Sequence, residues 1–143
     1  MGDFKDLGGM FRQLSQRPTA GQMKAARQQA LKPFVAAAKQ NLASNGSNKT
    51  GKLSASLGVA EKQGERNTTS AGPIRGRKHA SNGHLVEFGT APHWQPNRGG
   101  GQMHPGAQAK PFLRPAYEAT KDEIVRQTGE AVLNAVLKGI KTP

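Results

Sequence analysis

The residues of this chain best suited to chemistry are its four histidines, three of which stand at His84, His93 and His104. One helical turn would set His84 and Glu87 on a common face, and a catalytic zinc wants three nitrogen or oxygen ligands fixed by outer partners. His93 or His104 would have to complete such a site from a Gly-rich segment, and nothing beyond Glu87 reads as a general base. A histidine stacked on Trp94 or on proline is the plainer expectation there. Nucleophilic catalysis is worse supplied. There is no cysteine and no G-x-S-x-G elbow, and the only aspartates are Asp3, Asp6 and Asp122, none of them beside a histidine. Gly46, Gly51 and Lys52 match the spacing of a phosphate-cradling loop. A polar helix precedes them instead of a buried strand, and Leu53 stands where a Ser or Thr should hold magnesium. The inventory predicts no catalytic residue, no metal and no cofactor, hence a protein that is not an enzyme.

Charge is the stronger signal. The chain has a formal net charge of +12 over 143 residues. Between residues 7 and 60 there is no acid, against Arg12, Arg17, Lys24, Arg27, Lys32, Lys39, Lys49 and Lys52. Such a field attracts nucleic acid or an acidic protein surface, and composition does not choose between them. Lys24, Arg27, Lys32 and Lys39 share one helical stretch and are the candidates to touch phosphate without sequence preference, a solvated face being the plain alternative. The single Trp, single Tyr and five Phe are not interleaved with basic residues as in a stacking platform. No zinc-finger, helix-turn-helix or RNA-recognition pattern appears.

The elements that must position these residues rest on a thin core. Leu, Ile, Val and Phe together make 24 of 143 residues, which places the chain near the edge of compositions that fold alone and predicts help from neighbouring subunits. Absence of cysteine excludes disulfides and thiolate metal sites. No apolar run is long enough to cross a membrane, and the opening MGDFKDLGG lacks a signal-peptide segment, which predicts residence in a cytoplasm.

One domain over 19–143 is expected, preceded by an arm over 1–18. In the arm, Phe4, Leu7, Phe11 and Leu14 recur at helical spacing but Gly8 and Gly9 interrupt them, so it should order only against a partner. A helix over 20–44 follows, capped by Thr19, with Met23, Ala26, Ala30, Phe34, Ala37 and Leu42 on its apolar face and Pro33 predicting a kink or break. Thr50 should cap a single turn holding Leu53, Ser56 and Leu57, with a strand beginning there. Residues 61–72 read as an exposed hairpin loop and 74–78 as a short edge strand. Ser81 or Asn82 could cap a helix over 83–88, though the same residues could make a strand. Gly89 suits a left-handed cap or tight turn. A polar loop of about twenty residues from Thr90 to Lys110 carries His93, Trp94, Arg98 and His104, and loops that long inside a domain usually have work to do. Phe112 and Leu113 form the next apolar anchor. Pro115 then suits the first turn of a last helix reaching about residue 141, whose Tyr117, Ile124, Val125, Val132, Leu133, Val136, Leu137 and Ile140 predict the main core helix.

Three segments, TGKLSASLGV at 50–59, HLVEFGTAPHW at 84–94 and HPGAQAKPFLRPA at 104–116, together resemble the tail-completion, or head-to-tail joining, proteins of long-tailed bacteriophages, also called minor tail components. The resemblance covers about residues 20–140, and the pairing of V-E-F-G-T with P-F-L-R-P-A is its most specific part; residues 1–18 resemble nothing in the family. It implies an α+β fold of two long helices packed on a small antiparallel β-sheet, with a long flap loop and a loose N-terminal arm. It implies a virion structural protein of the neck, made in the host cytoplasm, forming a homo-oligomeric ring around the DNA channel beside other neck and tail proteins, with no membrane. Thr50, Gly51, Leu53, Glu87, Phe88, Gly89, Thr90, Pro111, Phe112, Leu113, Pro115 and Ala116 match the family pattern, which implies structural roles. A basic protein binding nucleic acid non-specifically is the alternative, and a small metal-dependent enzyme the third.

Overall fold

The computed structural model describes residues 18–62, 64, 68–74, 76–77, 82–96 and 100–138. Residues 1–17 of the arm, Ser81, Arg98 and the last five residues, Ile140 among them, lie outside that set. Among the described residues the chain is an α+β domain: a broken N-terminal helix, a β-hairpin, a short helix, a second small hairpin and a long final helix.

Helix α1 spans Ala20–Ala30 and helix α2 Lys32–Ser44. A capping box opens α1: Thr19 Oγ1 accepts from the Gln22 amide at 3.2 Å, and the Thr19 amide donates to Gln22 Oε1 at 2.8 Å. The break expected at Pro33 falls two residues earlier, at Leu31, because Pro33 has no N–H to donate and is best tolerated in the first turn of a new helix. Buried Ala26, Ala30, Phe34, Ala38 and Leu42 recur every four residues, so one apolar ridge runs through both helices. Ala38 takes the buried position assigned to Ala37, which is half-buried.

A one-turn helix, α3, spans Lys52–Ser56, and its N-cap is Gly51, at φ 68°, with no side-chain cap. Thr50 therefore does not cap it; the backbone turns left-handed at Gly51, a conformation that glycine adopts without strain. Strand β1, Leu57–Glu61, pairs antiparallel with β2, Thr69–Pro73, from Leu57↔Pro73 to Glu61↔Thr69. The hairpin loop is thus shorter than the expected 61–72, and the second strand comes before the expected 74–78. The cause is legible only in the pair: β2, TSAGP, has no apolar alternation, and cross-strand bonding to β1 rather than side-chain pattern makes it a strand. Pro73 closes the ladder, where its missing donor does no harm.

Helix α4 spans Gly83–Phe88. The Thr90–Lys110 segment is not a plain loop. Strands β3, His93–Gln95, and β4, Gln102–His104, form a second antiparallel hairpin, and a bridge between Thr90 and Ala107 clamps its base with amide–carbonyl bonds of 2.9 and 3.0 Å. Helix α5, Leu113–Lys138, carries Pro115 in its first turn. It runs antiparallel to the α1–α2 pair: Asn41 near the end of α2 donates to the Phe112 carbonyl at 3.0 Å, while Ala25 and Ala26 of α1 lie beside Ala131 and Ala135.

The core gathers Phe34, Ala38, Leu42, Leu53, Leu57, Phe112 and Ala116, with Val86, Leu113 and Ile124 packed against it. Phe112 sits beneath the start of α5, as expected, and is fully buried. The expectation that α5 is the main core helix needs correction. Beyond Ala116 none of its described side chains is fully buried, and Tyr117, Val125, Leu133 and Leu137 are exposed. Its apolar residues are spread over more than one face, and only one face meets α1 and α2.

Candidate functional site

The most constrained polar group is the carboxylate of Glu87, buried at the end of α4. Its Oε2 accepts the Phe112 and Leu113 amides at 2.8 and 2.9 Å, and its Oε1 accepts the Arg114 amide at 3.0 Å. A helix start leaves amide donors without partners and carries partial positive charge, so an anion there is stabilised by both effects. Glu87 thus caps α5 from 25 residues away. The same junction is tied twice more, by Lys110 N–H to the Val86 carbonyl at 2.8 Å and by the Asn45 amide to the Lys110 carbonyl at 3.1 Å. Gly89, at φ 72°, completes it: a Cβ there would fall 2.5 Å from the Ala107 carbonyl oxygen. The V-E-F-G and P-F-L-R segments form one latch, which sequence spacing could not show.

His84 does not join His93 and His104 at one site. His84 lies beside Glu87 on a groove of about 680 Å³, whereas His93 and His104 line another depression on the opposite side of α4. Both Glu87 oxygens are engaged by backbone donors, and no group of three or more candidate metal ligands occurs among the described residues. His93 and His104 face each other across β3 and β4 and stack at 5.0 Å between ring centroids, so His93 packs on histidine rather than on Trp94. His93 Nδ1 lies 2.9 Å from the Ala91 carbonyl, and His104 Nδ1 accepts the Gly106 amide at 3.0 Å. Alternation turns the next pair, Trp94 and Met103, to the other side of the hairpin, where they are 58% and 61% exposed. The Trp94 ring lies against Gly101, leaving no room for a side chain there.

The basic stretch divides. Lys24, Lys32 and Lys39 are exposed and have no acidic partner among the described residues. Lys32 and Lys39 border a groove of about 510 Å³ between α2 and β1. Arg27 is occupied: its Nη2 lies 3.6 Å from Glu61 Oε2, its Nε donates to Thr69 Oγ1 at 3.0 Å, and that hydroxyl donates to Glu61 Oε1 at 2.9 Å. This network pins α1 to the β1–β2 hairpin. Lys52 of the phosphate-loop pattern opens the one-turn α3, a placement unlike the long helix such loops feed.

Further ion pairs lie on the solvent face of α5. A hydrogen bond from Lys121 holds the Glu118 carboxyl below the ordinary glutamate range, and Arg126 does the same to Glu123. The Lys121 ammonium is shifted up by the same contact with Glu118. No helix among the described residues is long and apolar enough to cross a membrane.

What the site presents is a satisfied internal latch flanked by open apolar and basic surfaces. No curated protein and no solved structure matches the chain. A protein-family profile does, over residues 5–89, described as "Bacteriophage HK97-gp10, putative tail-component". The match starts within the arm, taking in most of the stretch 1–18 that the sequence reading left without a counterpart. It ends at Gly89, so the 104–116 segment lies beyond it. Covering more than half of the 143 residues, it shows that the chain belongs to the HK97-gp10-like family of bacteriophage tail components.

Proposed function

We propose that this tail component is a virion structural protein of the neck, completing the tail where it joins the head and assembling there as a homo-oligomeric ring around the DNA channel. The observation that carries this reading is the pairing of a fully satisfied latch at Glu87 with large apolar side chains left in solvent at Phe88, Trp94, Met103 and Leu133. A folded unit with such surfaces is built to meet neighbours. The flap carrying His93, Trp94, Arg98 and His104 would contact adjoining neck or tail proteins, and Lys24, Lys32 and Lys39 would face DNA. Arg27 is the weakest of the four basic candidates, since Glu61 already neutralises it. The Glu87 latch and the Gly89 turn act as framework.

The test is electron microscopy of particles from a genome with an early stop codon in this gene. Filled heads beside separate, finished tails are expected; intact infectious particles would overturn the reading. Three exposed lysines on one helical stretch, Lys24, Lys32 and Lys39, without an acidic partner among the described residues, also favour a second reading, non-specific nucleic-acid binding by the free subunit. That reading requires affinity for duplex DNA that falls steeply with salt as counterions are released. Lys24→Glu, Lys32→Glu and Lys39→Glu together should then abolish binding without changing the melting temperature.

A further inference from the structure

We propose that the depression between helix α4 and the β3–β4 hairpin is a docking site for an acidic segment of a neighbouring tail or neck protein, one that lays an apolar side chain on Leu85 and Val86 and turns a carboxylate to Lys49, Lys110 and His104. The inference rests on the reading above that the flap meets adjoining proteins, and it gives the chemistry of what is met there.

The depression holds about 590 Å³, within the range of sites that take a small ligand or a few residues of peptide. Leu85, 41% exposed, gives it an apolar wall together with Val86 and Ala107. Lys49 and Lys110 border it with their side chains exposed, and no acidic residue lines it. Neither ammonium has an acidic partner among the described residues.

The hairpin adds one directed donor. His104 Nδ1 accepts the Gly106 amide, so the ring proton sits on Nε2, and that N–H has no partner among the described residues. His93 offers nothing comparable. Its Nδ1 faces the Ala91 carbonyl at 2.9 Å and must carry the proton, which leaves Nε2 to accept from the Gln95 side-chain amide at 3.2 Å. The frame is fixed before any partner arrives: Lys110 N–H reaches the Val86 carbonyl at 2.8 Å, and Thr90 and Ala107 exchange amide–carbonyl bonds of 2.9 and 3.0 Å. A site that needs no ordering gives up less free energy on binding.

Charge alone would also admit a nucleic-acid phosphate. The apolar wall decides against it, because a duplex backbone brings only charged and sugar groups to Leu85, whereas a peptide can place an aliphatic side chain beside a carboxylate.

The test titrates the full, isotope-labelled chain with a capped peptide of alternating Leu and Glu, with its counterpart of alternating Leu and Gln, and with duplex DNA, following amide chemical shifts. The Glu peptide should move the amides of Lys49, Val86, Ala107 and Lys110. It should bind roughly tenfold more tightly than the Gln peptide, since exposed charge contacts are individually modest and three of them act together. Lys49→Glu with Lys110→Glu should leave the melting temperature unchanged, both side chains being exposed, and should remove the preference for the Glu peptide. Equal affinity for the two peptides, or shifts confined to other surfaces, would overturn the proposal. So would duplex DNA moving the same amides more strongly than the Glu peptide at equal concentration. Separate finished tails from the stop-codon genome, beside a chain that ignores the Glu peptide, would overturn this proposal alone; intact infectious particles beside a chain that prefers it would overturn the neck reading alone.

Discussion

The two ends of α5 obey different rules. At its start, Phe112 and Ala116 are fully buried, and the first amides are held by a carboxylate from α4. From Val125 onward the same helix shows Val125, Leu133 and Leu137 to solvent at 72%, 57% and 48% exposure. Both ends are rich in apolar residues, so hydrophobicity does not separate them. What separates them is whether a second element arrives to cover the side chain. The start is closed over by α2, α3 and α4, whereas α1 covers only one face of the C-terminal half. The lesson is that apolar residues along one helix are buried only where a second element covers them, and the rest stay in solvent.

The sharpest way to break this comparison is at the buried end. Phe112→Ala should cost about 3–5 kcal/mol, since it removes a large ring from a fully packed site. Measured by thermal and denaturant unfolding, that is a large part of the whole stability of a domain with so thin a core. An unchanged unfolding midpoint would place Phe112 at the surface and erase the contrast.

Next in size is the latch. Glu87→Ala leaves three amides at a buried helix start without an acceptor, and about 1–3 kcal/mol should be lost. Glu87→Gln keeps an acceptor but not the charge, and should fall between Ala and wild type. Wild-type stability in both variants would show that the charge and the hydrogen bonds at this helix end contribute nothing, whereas equal losses in both would assign the effect to the charge.

At the exposed end the expectation reverses. Val125→Ser and Leu133→Ser should each change stability by no more than about 0.5 kcal/mol, as for surface positions in general. A loss of several times that size in the isolated subunit would mean that this face is covered within one chain.

The smallest effect sharpens the electrostatics of the same face. The folded-state values of Glu118 and Glu123 are lowered by Lys121 and Arg126, so their contribution is present above the ordinary glutamate range and is lost as pH falls through the lowered folded values. Both carboxylates are solvent-exposed, so the change should be slight. A small loss of helix signal by circular dichroism over that acidic interval is expected, and Glu118→Gln should reduce it; an identical acid limb in the variant would dissociate the ion pair from helix stability.

Much of the frame was legible in the residues themselves. Pro33 announces a broken helix, Thr19 announces its start, and Pro115 announces the beginning of α5, because proline and capping residues act through their own backbone. Gly89 declares a special turn for the same reason. Strand β2 was not legible, since TSAGP becomes a strand only through its bonds to β1. Nor was the role of Glu87, which looks from sequence like a partner for His84 and in the fold meets amides 25 residues away. Arg27 reads as one more free cation on a basic helix, yet Glu61 and Thr69 reach it from the hairpin.

By itself the sequence determined that one helix starts at Thr19 and is interrupted near Pro33, that a last helix starts near Pro115, the net positive charge, and the lack of thiol chemistry, all properties carried by single residues or their near neighbours. Tertiary structure alone decided that Arg27 meets Glu61, which of the described apolar side chains remain in water, and that two distant segments close on one carboxylate. Those outcomes depend on which elements meet, and pairings across dozens of residues are set by packing and hydrogen-bond satisfaction over the whole chain rather than by any local pattern.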